Sequence, residues 1–432
     1  MPITRRNLFM AAASMGTALA TPPGLHQARA QGAYDDWGAV RELFPLSPDK
    51  VHMSAMLITS HPASVRDAIE RHRGGLDADP VGYLETNGDK LTEASRNAAA
   101  DYLGMHPAHV ALTDSTTMGI GLMYTSLGLG EGDEVLTTEE DYYVTHTALD
   151  HLSQRTGATI RRIALFEDAR GASREGIVDR IRTEIRPETR LLALTWVHSN
   201  TGLKLPVAEV AGVVREANAD RDEDRQILFG LDAVHGFGVE TENFFELGVD
   251  FYAAGCHKWL FGPRGTGIAA ISERGMTLAR PTIPTFDDST VFSAWYRREA
   301  PPAGNNGLRM TPGGFKPFEH RWALPEAFGL HDAIGRARIS ARTHDLATML
   351  KEALTSVQGV RVHTPTGPDM SSGIVAFDVD GRSSDEVVAL LRDRSIIASV
   401  APYPSALVRL APSIRNTESE VERAASAVRE FA

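Results

Sequence analysis

Three short stretches of the 432-residue chain set reactive side chains directly after apolar, β-rich runs. In open α/β sheets ligands gather beyond the carboxyl ends of the strands, so these places carry most weight. The first, Ile227-Leu-Phe-Gly-Leu-Asp232-Ala-Val-His235-Gly236, ends a buried run on a carboxylate. A poorly hydrated anion is stable only beside a cation or hydrogen-bond donors. A protonated pyridine nitrogen is such a partner, and an Asp there keeps the ring an electron sink. Taken alone, a strand-end Asp is more often a helix cap or a metal ligand. The second, Ala254-Gly-Cys256-His257-Lys258-Trp259-Leu-Phe-Gly262-Pro263, sets a lysine between a strand and a Gly-Pro turn, flanked by Trp and Phe. Partial desolvation lowers the pKa of such an amine and makes it a nucleophile toward a carbonyl, although most lysines are surface charges. In the third, Leu112-Thr113-Asp114-Ser115-Thr116-Thr117-Met118-Gly119 opens a helix. Free backbone N–H groups and hydroxyls make an anion site there, but Ser and Thr also cap helices everywhere.

The elements that must position these groups are legible from residue 110 to 271. Glu134–Thr138, Ile160–Leu165, Leu191–Val197, Ile227–Leu231, Phe251–Ala254 and Thr266–Ile271 read as strands. Ser173–Ile185 and Pro206–Asn218 carry apolar residues at three- and four-residue spacing, as crossover helices do. Buried strands separated by helices imply a mostly parallel sheet. Arg280–Phe318 is rich in Pro, Gly, Asn and aromatics without periodicity, as a substrate-covering or interface excursion would be. Beyond it, Arg321–Ser340 reads as one long helix, and Ile374–Val379, Ile396–Ser399 and Leu407–Leu410 as strands of a smaller α/β unit closed by a C-terminal helix.

Together the three stretches resemble the fold-type I pyridoxal-phosphate enzymes, specifically the class V aminotransferase family with its cysteine desulfurases and isopenicillin N epimerase-like members. The order is shared: phosphate helix, Asp-x-x-His, then His-Lys some two dozen residues later. The resemblance implies a large cofactor domain with a mostly parallel sheet flanked by helices, plus a smaller α/β C-terminal domain. It implies pyridoxal 5′-phosphate held by Lys258 as a Schiff base, with Lys258 then moving the Cα proton. Thr116 and Thr117 match the phosphate-binding pair, Tyr142 the ring-stacking position and His257 a further phosphate ligand. Asp232 would meet the pyridine nitrogen, and His235 and Ser199 the phenolic oxygen. Arg409, in Val408-Arg409-Leu-Ala-Pro-Ser-Ile-Arg-Asn416-Thr417, matches the segment whose Arg clasps the substrate carboxylate, a task suited to a fork-shaped guanidinium. No metal site is singled out.

Two departures narrow the resemblance. Desulfurases carry a catalytic Cys in an Arg-x-Gly-x-His-Cys segment, where this chain has Ala398-Ser399-Val400-Ala401-Pro402-Tyr403. The family's Gly-Thr pair, which sends a Thr to the neighbouring subunit's phosphate, stands here as Gly314-Phe315.

The N-terminus predicts export. Thr4-Arg5-Arg6-Asn7-Leu8-Phe9 precedes an Ala-rich apolar run, and Ala28-Arg29-Ala30 offers a cleavage site, which together read as a twin-arginine signal peptide cut after Ala30. Its loss leaves 41 basic against 56 acidic residues, a charge of −15 that argues against nucleic acid or anionic membrane as partner. The apolar run falls short of the ~20 residues a permanent anchor needs. With Cys256 as its sole cysteine the chain cannot close an internal disulfide, so its stability must come from packing.

The expected organisation is a signal peptide over residues 1–30, a segment over 31–60 joining the small domain, the cofactor domain over 61–325 and the small domain over 326–432. The expected protein is a periplasmic or secreted homodimer acting by transamination, epimerisation or elimination on an amine or amino-acid-like substrate. Exported class V relatives that tailor peptide siderophores such as pyoverdine extend the resemblance to a secreted peptide as substrate. A C–S lyase of the same family, a non-catalytic ligand-binding protein and a cofactor-free Schiff-base enzyme of aldolase type are the other readings.

Overall fold

The computed structural model describes residues 34–432, so the expected signal peptide lies outside the described residues. Strand β1 (Val51–His52) belongs with the C-terminal part of the chain. The next seven are β2 (Val110–Thr113), β3 (Glu134–Thr138), β4 (Thr159–Ile163), β5 (Thr189–Thr195), β6 (Leu228–Asp232), β7 (Phe251–Gly255) and β8 (Gly267–Ile271). They form one sheet in the order β2-β8-β7-β6-β5-β3-β4. Only β8 runs against its neighbours, so the sheet is mostly parallel, as expected.

Successive strand residues point to opposite faces, and both faces here are covered. Leu191 and Ala193 pack with Ile120, Met123 and Leu149 on one side; Leu192 and Leu194 pack with Val210, Val214 and Phe328 on the other. This double burial explains why the strand runs are continuously apolar rather than alternating. Each predicted strand of this sheet and both predicted helices lie within two residues of their observed ends.

The smaller layer holds β9 (Val360–Val362), β10 (Val375–Val379), β12 (Ser399–Val400) and β13 (Val408–Leu410) as an antiparallel sheet, while β11 (Ile396–Ile397) pairs parallel with β1. Its core, including Leu346, Phe377, Leu391 and Val421, is distinct from those of the large sheet.

Three local expectations need correction. Ile396–Ser399 is not one strand: the ladder breaks at Ala398, and its two halves join different sheets. Arg321–Ser340 is not one helix but parts of three, Phe318–Trp322, Leu324–Ile334 and Arg336–Thr355. Pro325, lacking an N–H, can only stand in a first turn, and Gly335 at φ 95° is outside helical geometry. The excursion also hides a helix, Ser289–Arg297, capped by the Asp288 carboxylate and presenting Trp295 (72% exposed) and Tyr296 to the surface.

Candidate active site

The predicted residues converge at the carboxyl edge of β5, β6 and β7, the middle strands of the large sheet. Asp232 ends β6 and is flanked in register by Thr195 of β5 and Ala253 of β7. Its Oδ1 accepts the Val234 amide at 3.1 Å. Burial pushes its carboxyl up to about 6, with Asp141 adding to the rise and the Val234 amide and Lys258 opposing it. An anion at neutral pH is therefore poised for a cationic partner.

The chain then turns so that His235 faces Lys258, with Phe237 N–H bonding Ala233 C=O at 2.8 Å. Gly236 has no room for a side chain: a Cβ would lie 2.2 Å from Cε3 of Trp196. Gly236→Ala is accordingly expected to lower stability by about 1–3 kcal/mol through overpacking, read as a lower urea midpoint with an unchanged slope.

Lys258 sits in the turn leaving β7, closed by Gly262 N–H to Cys256 C=O (2.8 Å) and Phe261 N–H to Lys258 C=O (3.0 Å). Phe261 adopts φ 59°, held there by its fully buried ring, edge-on to Phe44 at 5.1 Å. Lys258 Nζ lies 3.4 Å from His235 Nε2. Burial draws the amine down to about 8; Asp232 opposes this fall and Arg409 adds to it. Relative to an ordinary lysine, the neutral fraction at pH 7 rises on the order of 10²-fold. Burial, with Lys258, Arg409 and His257, holds His235 well below its usual value. Trp259 Nε1–H approaches His235 Nδ1 at 3.5 Å, which leaves the proton on Nε2, facing the lysine.

The anion cradle is built from two strand ends. Ser115 caps the helix Thr116–Ser126 by accepting the Met118 amide, and Thr116 Oγ1 accepts the Gly255 amide at 2.8 Å, leaving its own proton to donate. A Cβ on Gly255 would stand 3.1 Å from His257 Nδ1 and 3.2 Å from Thr116 Oγ1, so these groups close on one point. His257 Nδ1 is buried without a partner, and burial, Lys258 and Arg264 draw the ring down to about 4. The unpaired imidazole nitrogen, free helix amides and hydroxyls fit a phosphate. Thr117 is the exposed member of the group.

Arg409, on β13, comes in from the small layer. It is 2% exposed, and its Nε, Nη1 and Nη2 donate to Ser399 Oγ (3.2 Å), Ser199 C=O (2.7 Å) and Val400 C=O (3.2 Å). One N–H remains on each terminal nitrogen, and no acid forms an ion pair with Arg409 among the described residues. Burial lowers the guanidinium to about 10. It is an uncompensated cation shaped for a carboxylate.

Tyr142 precedes the helix Tyr143–Thr156, and its ring lies 5.5 Å from that of Tyr403. Ser199 Oγ bonds the Tyr403 hydroxyl at 2.8 Å, whereas its neighbour Asn200 turns to Ser405 Oγ at 2.7 Å. Nothing in Pro402-Tyr403-Pro404 signals a contact with residue 199, so the role of Tyr403 is visible only in the fold. Thr59, which contacts the Lys258 backbone, was missed for the same reason.

With this geometry in place, comparisons with known proteins agree on kinship. The model of the family described as Aminotransferase class-V matches residues 59–423. Isopenicillin N epimerase of Streptomyces clavuligerus is 28% identical over 408 residues, covering 92% of this chain and 98% of the relative. A cysteine desulfurase of Cronobacter sakazakii is 24% identical over 416 residues, covering 89% and 95%. Among solved structures, the C-DES protein with glycine covalently linked to its PLP cofactor superposes with a TM-score of 0.80 at 21% identity, covering 91% of this chain and 99% of that one.

Proposed function

Because the chain belongs to the class V aminotransferase family of pyridoxal 5′-phosphate-dependent enzymes, we propose that it is an exported enzyme whose Lys258 site works at the amino group or Cα of an amino-acid-like substrate. The observation that carries this reading is the amine of Lys258 standing 3.4 Å from His235, with the buried carboxylate of Asp232 among the charges acting on it.

When bound, the cofactor supplies an electron sink for bonds broken at the substrate Cα. The residues have separable tasks. Lys258 would hold the group through its neutral amine, and the same nitrogen would take and return the Cα proton. Asp232 would keep a proton on the pyridine nitrogen. His235, with its proton on Nε2, would donate to the phenolic oxygen, as would Ser199. Thr116, Thr117 and His257 would receive the phosphate, and Tyr142 would stack on the ring. Arg409 binds the substrate carboxylate with its two remaining N–H groups. Arg409→Met is expected to raise KM about 10–100-fold, the worth of a charged hydrogen-bonded contact, with a much smaller change in kcat. Steady-state kinetics on the amino-acid substrate checks it.

Transamination, epimerisation and elimination share this opening step. Incubation in heavy water with candidate amino acids and peptides separates them: Cα deuteration alone indicates an epimerase, keto product without ammonia a transaminase, ammonia a lyase. A persulfide-type desulfurase is disfavoured, because Cys256 is buried and its thiol is pushed up to about 12 by that burial. A C–S lyase that needs no thiol is the second reading, supported by the fold's likeness to C-DES, a cystine C–S lyase.

Export through the twin-arginine route, with cleavage after Ala30 and a periplasmic or secreted location, would place the enzyme among secreted metabolites, so its substrate is read as a secreted peptide or siderophore. Full-length chain recovered only from the cytosol would contradict this. So would gene deletion that leaves the masses of all secreted peptides unchanged. A homodimer would bury the aromatics that the 280–318 excursion exposes, among them Trp295 and Phe315, which is 80% exposed. Sedimentation at micromolar concentration tests it.

A further inference from the structure

The stretch between β1 and the helix Ala63–Ala78 links the two halves of the site. Thr59, 3% exposed, meets the lysine's own backbone. Its amide donates to the His257 carbonyl at 3.1 Å, and its single hydroxyl proton is shared between the carbonyls of His257 (3.0 Å) and Lys258 (2.9 Å). Six residues upstream, the Met53 carbonyl accepts the Ala411 amide at 2.7 Å, and Ser54 bridges Ala411 in parallel. Ala411 lies two residues beyond Arg409. A small buried cluster of its own, Ala55, Met56, Val239, Trp259, Ile374 and Ala411, packs these stretches together. Seven residues of chain therefore run from the arginine strand to the lysine turn, fixed at both ends.

We propose that Thr59 is a positioning residue for Lys258, and that the stretch 53–59 is a strut setting the spacing of Lys258 from Arg409. This rests on the reading that these two side chains hold cofactor and substrate. The lysine turn needs such support, because Phe261 stands in the left-handed region, a conformation that persists only where the surroundings over-determine it. Without the hydroxyl, the peptide plane between Lys258 and Trp259 is held on its carbonyl side by Phe261 alone. The His257 carbonyl keeps the Thr59 amide, so neither acceptor is orphaned and the loss loosens the turn without unfolding it.

The test uses the full chain freed of cofactor. It is allowed to react with pyridoxal 5′-phosphate across pH, reduced with borohydride, and the modification at Lys258 is quantified by mass spectrometry, which needs no substrate. In the parent protein labelling should be half-maximal near pH 8, where burial places the amine. Thr59→Val removes the donor at nearly constant volume. It should react about tenfold more slowly at pH 7.5, the scale of a small misplacement, with its midpoint moved upward as Nζ gains water. Thr59→Ser should stay within about twofold of the parent, since it retains the hydroxyl. Thr59→Val labelling at the parental rate and midpoint would overturn the proposal, as would Thr59→Ser behaving like Thr59→Val. If the valine variant does not fold, Thr59→Ala takes its place in both comparisons. If Lys258 of the parent is not labelled at all, the reading of Lys258 falls, and the strut with it.

Discussion

Lys258→Ala is expected to give a folded protein that no longer fixes pyridoxal 5′-phosphate on borohydride reduction and whose Cα exchange in heavy water falls by about 10³–10⁴-fold, the usual worth of a positioned acid–base group. Two tasks fall on one nitrogen, so no neighbour can stand in: His235 has its only facing proton on Nε2, and Arg409 stays charged at any working pH, its guanidinium drawn down only to about 10. The turn itself should survive. Its closing bonds, from Gly262 to Cys256 and from Phe261 to the Lys258 carbonyl, run through the backbone. A melting temperature close to that of the parent, together with the lost activity, is the expected pair of results. An Ala variant with more than a tenth of parental exchange would contradict the assignment.

Asp232→Asn should act on activity and stability with opposite signs. In the holoenzyme the carboxylate would answer a positive ring nitrogen, and its loss is expected to slow turnover about 10²–10³-fold, the range for removing one preorganised electrostatic group. In the cofactor-free protein the same carboxylate is a liability. Burial raises it to about 6 from the usual 3.8, so the native state holds a proton between those values that the unfolded state has released. Stability therefore falls as pH rises from about 4 to 6. Removing the charge should make the cofactor-free variant more stable on the order of 1–3 kcal/mol at pH 7, the gap closing below about pH 4. Chemical denaturation of both proteins at pH 4 and pH 7 reads the sign.

The parts of this site that could be read from the chain are those whose signal is local. Asp232 ends, and Lys258 follows, a strand buried on both faces, and such strands read as uninterrupted apolar runs. Their spacing with His235, and with Thr116 upstream, turns three weak signals into one. The fold was legible for the same reason, since crossover helices such as Val207–Asn218 keep a strong helical period. What escaped depends on distant parts of the chain. The Ser199–Tyr403 bond spans 204 positions and Thr59 reaches Lys258 across 199, and neither residue stands in a patterned element. The split of Ile396–Ser399 had a similar origin: its first half is recruited by β1, more than 340 residues away. Backbone punctuation accounts for the broken Arg321–Ser340 helix. Pro325 and Gly335 mark the two breaks, although an apolar helical period runs on both sides of each.

The central claim, that Lys258 carries the cofactor, is tested most directly by reducing the purified holoenzyme with borohydride and mapping the modified peptide by mass spectrometry. One reduced pyridoxal phosphate on the peptide containing Lys258, and none on that peptide in Lys258→Ala, is the predicted result. Modification at another lysine, or a purified protein that carries no pyridoxal phosphate, would contradict it.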